Sequence, residues 1–159
     1  MLEDDATVLI RYEGGARGVL IASQISAGER NDLRLRVYGS EGGIDWCQER
    51  PDRLRLAMPD GTEHVLYDGA EGLSERAAAH TRLPGGHPEG FIEAFANLYR
   101  NVAATLDVRA GRARPGPFDD DFPTVQDGAR GVFFIGRAVE SAQAGRWLSA
   151  RYRPPSIEG

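Results

Sequence analysis

The side chains able to hold or transform a ligand are few. His87 stands beside Gly85 and Gly86 and just ahead of Pro88, where a loop turns into an apolar helix. Glycine allows close backbone approach and a helix start offers free N–H donors, so Gly86 and His87 are the candidate substrate-binding residues. The competing role for His87 is a helix cap, for which histidine has no special preference. His80 reads as a surface helix residue and His64 as a strand residue, and the three histidines lack the short spacing of a metal site. Asp119, Asp120 and Asp121 have the chemistry to grip a hard cation but read as a solvated linker. The run Gly39-Ser40-Glu41-Gly42-Gly43 leads into a strand, whereas a phosphate loop opens a helix, so it reads as a turn. Trp46 and Cys47 share a strand and face opposite ways, and no base is spaced to activate the thiol.

What is missing narrows the chemistry further. All nineteen cationic side chains are arginine. Without lysine there is no side-chain Schiff base, no P-loop lysine and no lysine acid/base. There is no Gly-x-Gly-x-x-Gly, no Gly-x-Ser-x-Gly and no Cys-x-x-Cys, and the residues read alone make no catalytic constellation. A net charge of -5 disfavours nucleic acid. The lone Cys47 excludes an internal disulfide. No apolar run approaches the ~20 residues that span a bilayer, so no membrane role is expected. The acidic start Met1-Leu2-Glu3-Asp4-Asp5 has no apolar leader, which makes the cytoplasm the expected location.

These residues must be positioned by a sheet-forming half and a helical half. Strands are expected over residues 6–67. Thr7 to Tyr12 and Val19 to Ile25 flank the turn Glu13-Gly14-Gly15-Ala16 as a hairpin. The second of these runs does not alternate, which predicts cover on both faces. Leu33, Leu35 and Val37 alternate with Arg34, Arg36 and Tyr38, and Leu54, Leu56 and Met58 with Arg53, Arg55 and Ala57, the period of half-buried strands. Six strands on short turns imply an antiparallel meander. Helices are expected over 74–82, capped by Ser74; over 88–110, with Pro88 at the first helical position; and over 124–144, where Thr124 and Asp127 resemble a capping box. In the second, Phe91, Phe95, Leu98, Val102 and Leu106 form a stripe that must lie against something flat. Residues 147–152 are the candidate for a last strand. With 159 residues, one α+β domain is expected.

Three stretches, Ala16-Arg17-Gly18-Val19-Leu20-Ile21-Ala22-Ser23-Gln24, Leu35-Arg36-Val37-Tyr38-Gly39-Ser40-Glu41-Gly42-Gly43-Ile44 and Gly86-His87-Pro88-Glu89-Gly90-Phe91-Ile92-Glu93-Ala94-Phe95, resemble the C-terminal domain of the Gfo/Idh/MocA oxidoreductases. These are the glucose-fructose oxidoreductase and inositol dehydrogenase relatives. Pro123-Thr124-Val125-Gln126-Asp127-Gly128, followed by Val139-Glu140-Ser141-Ala142, resembles that family's last helix. The resemblance runs from about Asp5 to Trp147. It implies an open, mainly antiparallel sheet with helices on one face and no Rossmann domain. The other sheet face would form a homodimer or higher oligomer.

In the family a separate N-terminal Rossmann domain binds NAD(P), and a lysine there, with an Asp and His beyond it, carries the proton chemistry. None of these has a counterpart here. The resemblance therefore implies a substrate-side and oligomerisation domain of a sugar or polyol oxidoreductase, binding no cofactor and inactive alone. A Rossmann half on a separate chain would be one partner. The other reading is a free-standing dimeric module that binds a small molecule or a protein.

Overall fold

The computed structural model describes residues 4–154. Met1 to Glu3 of the acidic start, and Pro155 of the Pro-Pro tail, lie outside the described residues. The chain separates into two compact units. One comprises the described residues up to Gly28 together with those from Pro123 onward, and the other Glu29–Phe122.

In the first unit, strands β1 (Asp5–Arg11) and β2 (Arg17–Ser23) pair antiparallel around the Gly14-Gly15 turn. Opposite residues share a face, so Val8 and Leu20 point to one side and the pairs Thr7–Ile21 and Leu9–Val19 to the other. Val8, Ile10 and Leu20 line a cleft together with Phe134 and Ala138 of the last helix. The opposite face is bare: Leu9, Val19 and Ile21 are 60%, 63% and 71% exposed. The unalternating run 19–22 thus presents apolar groups to both sides, with Leu20 on the cleft side less exposed, at 41%, than Val19 and Ile21 on the other.

The second unit holds β3 (Arg34–Gly39), β4 (Gly42–Cys47), β5 (Arg53–Ala57) and β6 (Glu63–Tyr67), antiparallel in chain order. The registers Leu35–Trp46–Leu54–Leu66 and Val37–Ile44–Leu56–His64 assemble one apolar face from the alternation read in the sequence. The reverse face carries Arg36 paired with Asp45 at 3.2 Å, and Arg55 paired with Glu63. The six strands do not form one meander. β2 and β3 lie in different sheets, separated by the polar stretch from Gln24 to Leu33, which is too long for a hairpin turn.

Helix α1 spans Glu75–Ala79, α2 Phe91–Arg109 and α3 Val125–Ala144. α3 starts on Thr124, whose hydroxyl accepts the Asp127 N–H at 3.3 Å, and ends on Gly145 in the left-handed conformation at φ 60°. α2 begins three residues later than Pro88. Gly90 is its N-cap, and the Glu93 carboxylate accepts the Gly90 N–H at 2.9 Å, which sets the first turn at Phe91. Residues 147–152 form no strand. The backbone here is tied to α3 side chains instead: Ser141 Oγ donates to the carbonyl of Arg146, just ahead of this segment, at 2.6 Å, and Arg137 Nε to the Ser149 carbonyl within it at 3.0 Å. Among the described residues no helix is long and apolar enough to cross a membrane.

Candidate functional site

The His87 loop belongs entirely to the second unit. Pro84 to His87 make a turn in which the Pro84 carbonyl accepts the His87 N–H at 3.2 Å and lies 3.1 Å from His87 Nδ1. A carbonyl can only accept, so Nδ1 carries the proton and neutral His87 offers Nε2 as an acceptor. The ring is exposed. His87 does not cap α2, because the cap is Gly90 three residues on. Gly86, at φ 84°, has open space around the position of a Cβ. The close backbone approach expected of the glycine pair falls at Gly85, and its neighbour is Gly69 of the same chain.

Glu89 has a different task from the helix-dipole role its position suggests. Its Oε1 accepts the N–H of Arg82 at 2.6 Å and the N–H of Leu83, while its own N–H donates to Asp68 Oδ2 at 3.1 Å. One carboxylate therefore closes both ends of the loop.

Behind the loop lies a polar knot. Asn97 and Asn101 of α2 are 7% and 3% exposed, and among the described residues no other side chain is as buried. Asn97 accepts from Arg82 Nε at 2.9 Å and donates to the His80 carbonyl at 2.5 Å. Asn101 donates to the Asp121 carbonyl at 3.1 Å, lies 3.1 Å from His80 Nε2 and accepts from Arg100 Nε at 3.3 Å. His80 is thus a half-buried C-cap of α1, not a surface helix residue; its Nδ1 sits 2.8 Å from the Arg76 carbonyl. With Nδ1 protonated, Nε2 accepts from Asn101 and every polar atom of the knot has a partner. Asn97 and Asn101 escaped the sequence reading. Their signal was two asparagines four apart in mid-helix, where asparagine is disfavoured unless its amide is used.

The remaining candidates disperse. His64 sits on strand β6 opposite Leu56. Asp119 turns back to accept the Gly116 N–H at 2.7 Å, and Asp121 lies 3.7 Å from both Arg76 and His80. The Cys47 thiol donates to Asp32 Oδ1 at 3.2 Å. That carboxyl is held below its usual range, first by the Arg34 guanidinium and then by the thiol. Ser40 and Glu41 form the tip of the β3–β4 hairpin, so the glycine run is a turn.

The first unit contributes a cleft of about 900 Å³ walled by Tyr12, Leu20, Phe134, Trp147 and Leu148. Its arginines are engaged: Arg11 stacks on Trp147 at 4.3 Å, Arg137 pairs with Glu140 and Arg151 with Glu13. The cleft offers apolar surface and no converging acid and base. Among the described residues every strand pairing is antiparallel, so they contain no parallel βαβ unit of the kind that cradles a dinucleotide.

Comparison with known proteins agrees with this geometry. Residues 2–149 match the profile of the oxidoreductase family, C-terminal alpha/beta domain. The chain is 33% identical over 144 residues to the uncharacterized oxidoreductase YfiI of Bacillus subtilis, covering 91% of this chain and 37% of that protein. An oxidoreductase structure from Sinorhizobium meliloti shares 37% identity at a TM-score of 0.82, over 93% of this chain and 42% of that one. An inositol dehydrogenase homolog from Azotobacter vinelandii, complexed with NAD+, shares 33% identity at a TM-score of 0.81, over 91% and 37%. The chain thus spans less than half the length of these relatives. Its match along nearly all its own length, on an α+β fold of open antiparallel sheets, makes it the C-terminal domain of a Gfo/Idh/MocA oxidoreductase.

Proposed function

We propose that this domain forms the substrate side and the assembly surface of an NAD(P)-dependent oxidoreductase acting on a sugar or polyol, and that it is inactive by itself. The observation that carries the reading is the 33% identity, at a TM-score of 0.81, to an inositol dehydrogenase homolog of which the chain spans 37%. The chemistry of the residues is consistent with it. The chain has no lysine, its histidines are dispersed, and the His87 loop offers an imidazole acceptor suited to a ligand hydroxyl, with no acid or base bonded to the ring among the described residues. Dinucleotide binding and the proton-transferring groups belong to a Rossmann half, on the same polypeptide or a separate one. Two apolar surfaces support a domain made to be covered: the outer face of the β1–β2 hairpin, and the α2 stripe that includes Phe91 and Phe95, at 65% and 46% exposure. The unpaired Cys47 accords with a reducing, cytoplasmic setting.

Calorimetric titration of the purified chain with NAD+ and with NADP+ tests the assignment. No binding in the micromolar range is expected for either. Micromolar affinity for either dinucleotide would overturn it.

A further inference from the structure

We infer that Glu89 and Asn97 are positioning residues that fix the His87 imidazole, with Nε2 turned outward as the acceptor for a ligand hydroxyl. The inference rests on the reading of the His87 loop as part of the substrate side.

Residues 83–89 leave and return to one carboxylate, since Glu89 Oε1 holds the N–H groups of Arg82 and Leu83 at the loop's start while Glu89 itself ends it. The start is held a second time from α2, where Asn97 grips Arg82 Nε and the His80 carbonyl with opposite ends of one amide. The end is held a second time by Asp68, on the Glu89 N–H, before the chain enters α2 at Gly90. Both feet of the loop are thereby referred to the same helix. Between them, the Pro84–His87 turn selects the Nδ1–H tautomer through the Pro84 carbonyl. An exposed imidazole on an open loop exchanges tautomers and rotamers freely, whereas this one is given a single hydrogen-bonding polarity before any ligand arrives. Preorganisation of this kind favours binding by removing an ordering cost. A buried asparagine bridging two backbone-anchored groups is costly to retain unless it fixes a geometry, and here the geometry it fixes is that of the loop.

The test uses the full 159-residue chain labelled with 15N, and no ligand, so its outcome is independent of the dinucleotide titration above. At pH 8 the His87 ring nitrogens should show the pattern of an Nδ1–H tautomer. The Arg82 and Leu83 amides should exchange at least tenfold more slowly than in an unstructured chain. Glu89→Ala should erase that protection and average the ring signals, with the Leu98 to Val102 amides unchanged. Glu89→Gln, which keeps an acceptor oxygen, should restore most of it. If Glu89→Ala does not fold, Glu89→Asp, one methylene short of the two N–H groups, should give the same loss. Asn97→Ala should speed exchange at Arg82 as well. The inference is overturned by an Nε2–H tautomer in the parent, by unchanged exchange at Arg82 and Leu83 in the Glu89 variants, or by a loss spread equally along α2.

Discussion

Gly69 and Gly85 touch backbone to backbone: a Cβ built on Gly69 would stand 2.6 Å from the Gly85 nitrogen and 2.9 Å from the Leu83 carbonyl oxygen. Gly69 also holds φ at 63°, a left-handed conformation that side chains resist. The base of the His87 loop can therefore be this tight only with glycine at both contacts.

Gly86 supplies the control. It has a similar positive φ of 84°, but a Cβ there would meet nothing within 4 Å. Gly86→Ala should cost only backbone strain, about 1 kcal/mol. Gly69→Ala should cost that plus the displacement of backbone atoms, about 3 kcal/mol or more. Urea unfolding of the two variants measures the difference; equal midpoints would show that the loop moves aside without penalty.

The start of α3 gives a prediction with a pH sign. Thr124 Oγ1 donates to Asp127 Oδ2 at 2.6 Å and accepts the Asp127 N–H at 3.3 Å, while the Thr124 N–H donates to the same carboxylate at 2.9 Å. The hydroxyl first, then the backbone N–H, hold the Asp127 carboxyl below its ordinary range. A carboxyl depressed in the folded state stabilises fully above its unfolded pKa of about 4, and that contribution fades as pH falls through the lower folded value. Thr124→Ala should cost about 1 kcal/mol at pH 7, a fall of about 2–4 °C in Tm, with Thr124→Ser close to the parent. The gap between Thr124→Ala and the parent should narrow below pH 4. A gap that widens there would reverse the assigned sign.

What could be read from the residues follows how local each cause is. The alternation of Leu54 and Leu56 with Arg53 and Arg55 is a period of two and needs no partner to be seen, so the apolar sheet face was legible. So were the Thr124–Asp127 start and Gly145 end of α3, which lie within one turn of their helix ends. Asn97 and Asn101 were not, because their value comes from His80, Arg82 and Asp121, which only folding brings to that face of α2. Glu89 is legible only as an acid near a helix start, a place that suits the helix dipole. Its actual partners, six and seven residues back, depend on a loop closure that no periodicity encodes. Residues 147–152 have strand-like composition, but the Ser149 carbonyl is taken by Arg137, and the Arg146 carbonyl just ahead of them by Ser141.

The bare hairpin face yields the last prediction. Ile21 pairs with Thr7 and Val19 with Leu9, so Leu9, Val19 and Ile21 share the face of the hairpin opposite Val8 and Leu20 and form one contiguous patch. Burying an isoleucine that starts 71% exposed recovers about 1.5–3 kcal/mol. A symmetric contact doubles every such gain, because each residue of the patch is used on both copies. We expect light scattering to report a dimer at micromolar concentration. Ile21→Glu, which places two carboxylates at the heart of the contact, should yield a monomer with unchanged circular dichroism. Val125→Glu, at a still more exposed apolar position on α3, should leave the dimer intact. A parent chain that is monomeric at this concentration, or an Ile21→Glu variant that still dimerises, would remove the hairpin face from the interface.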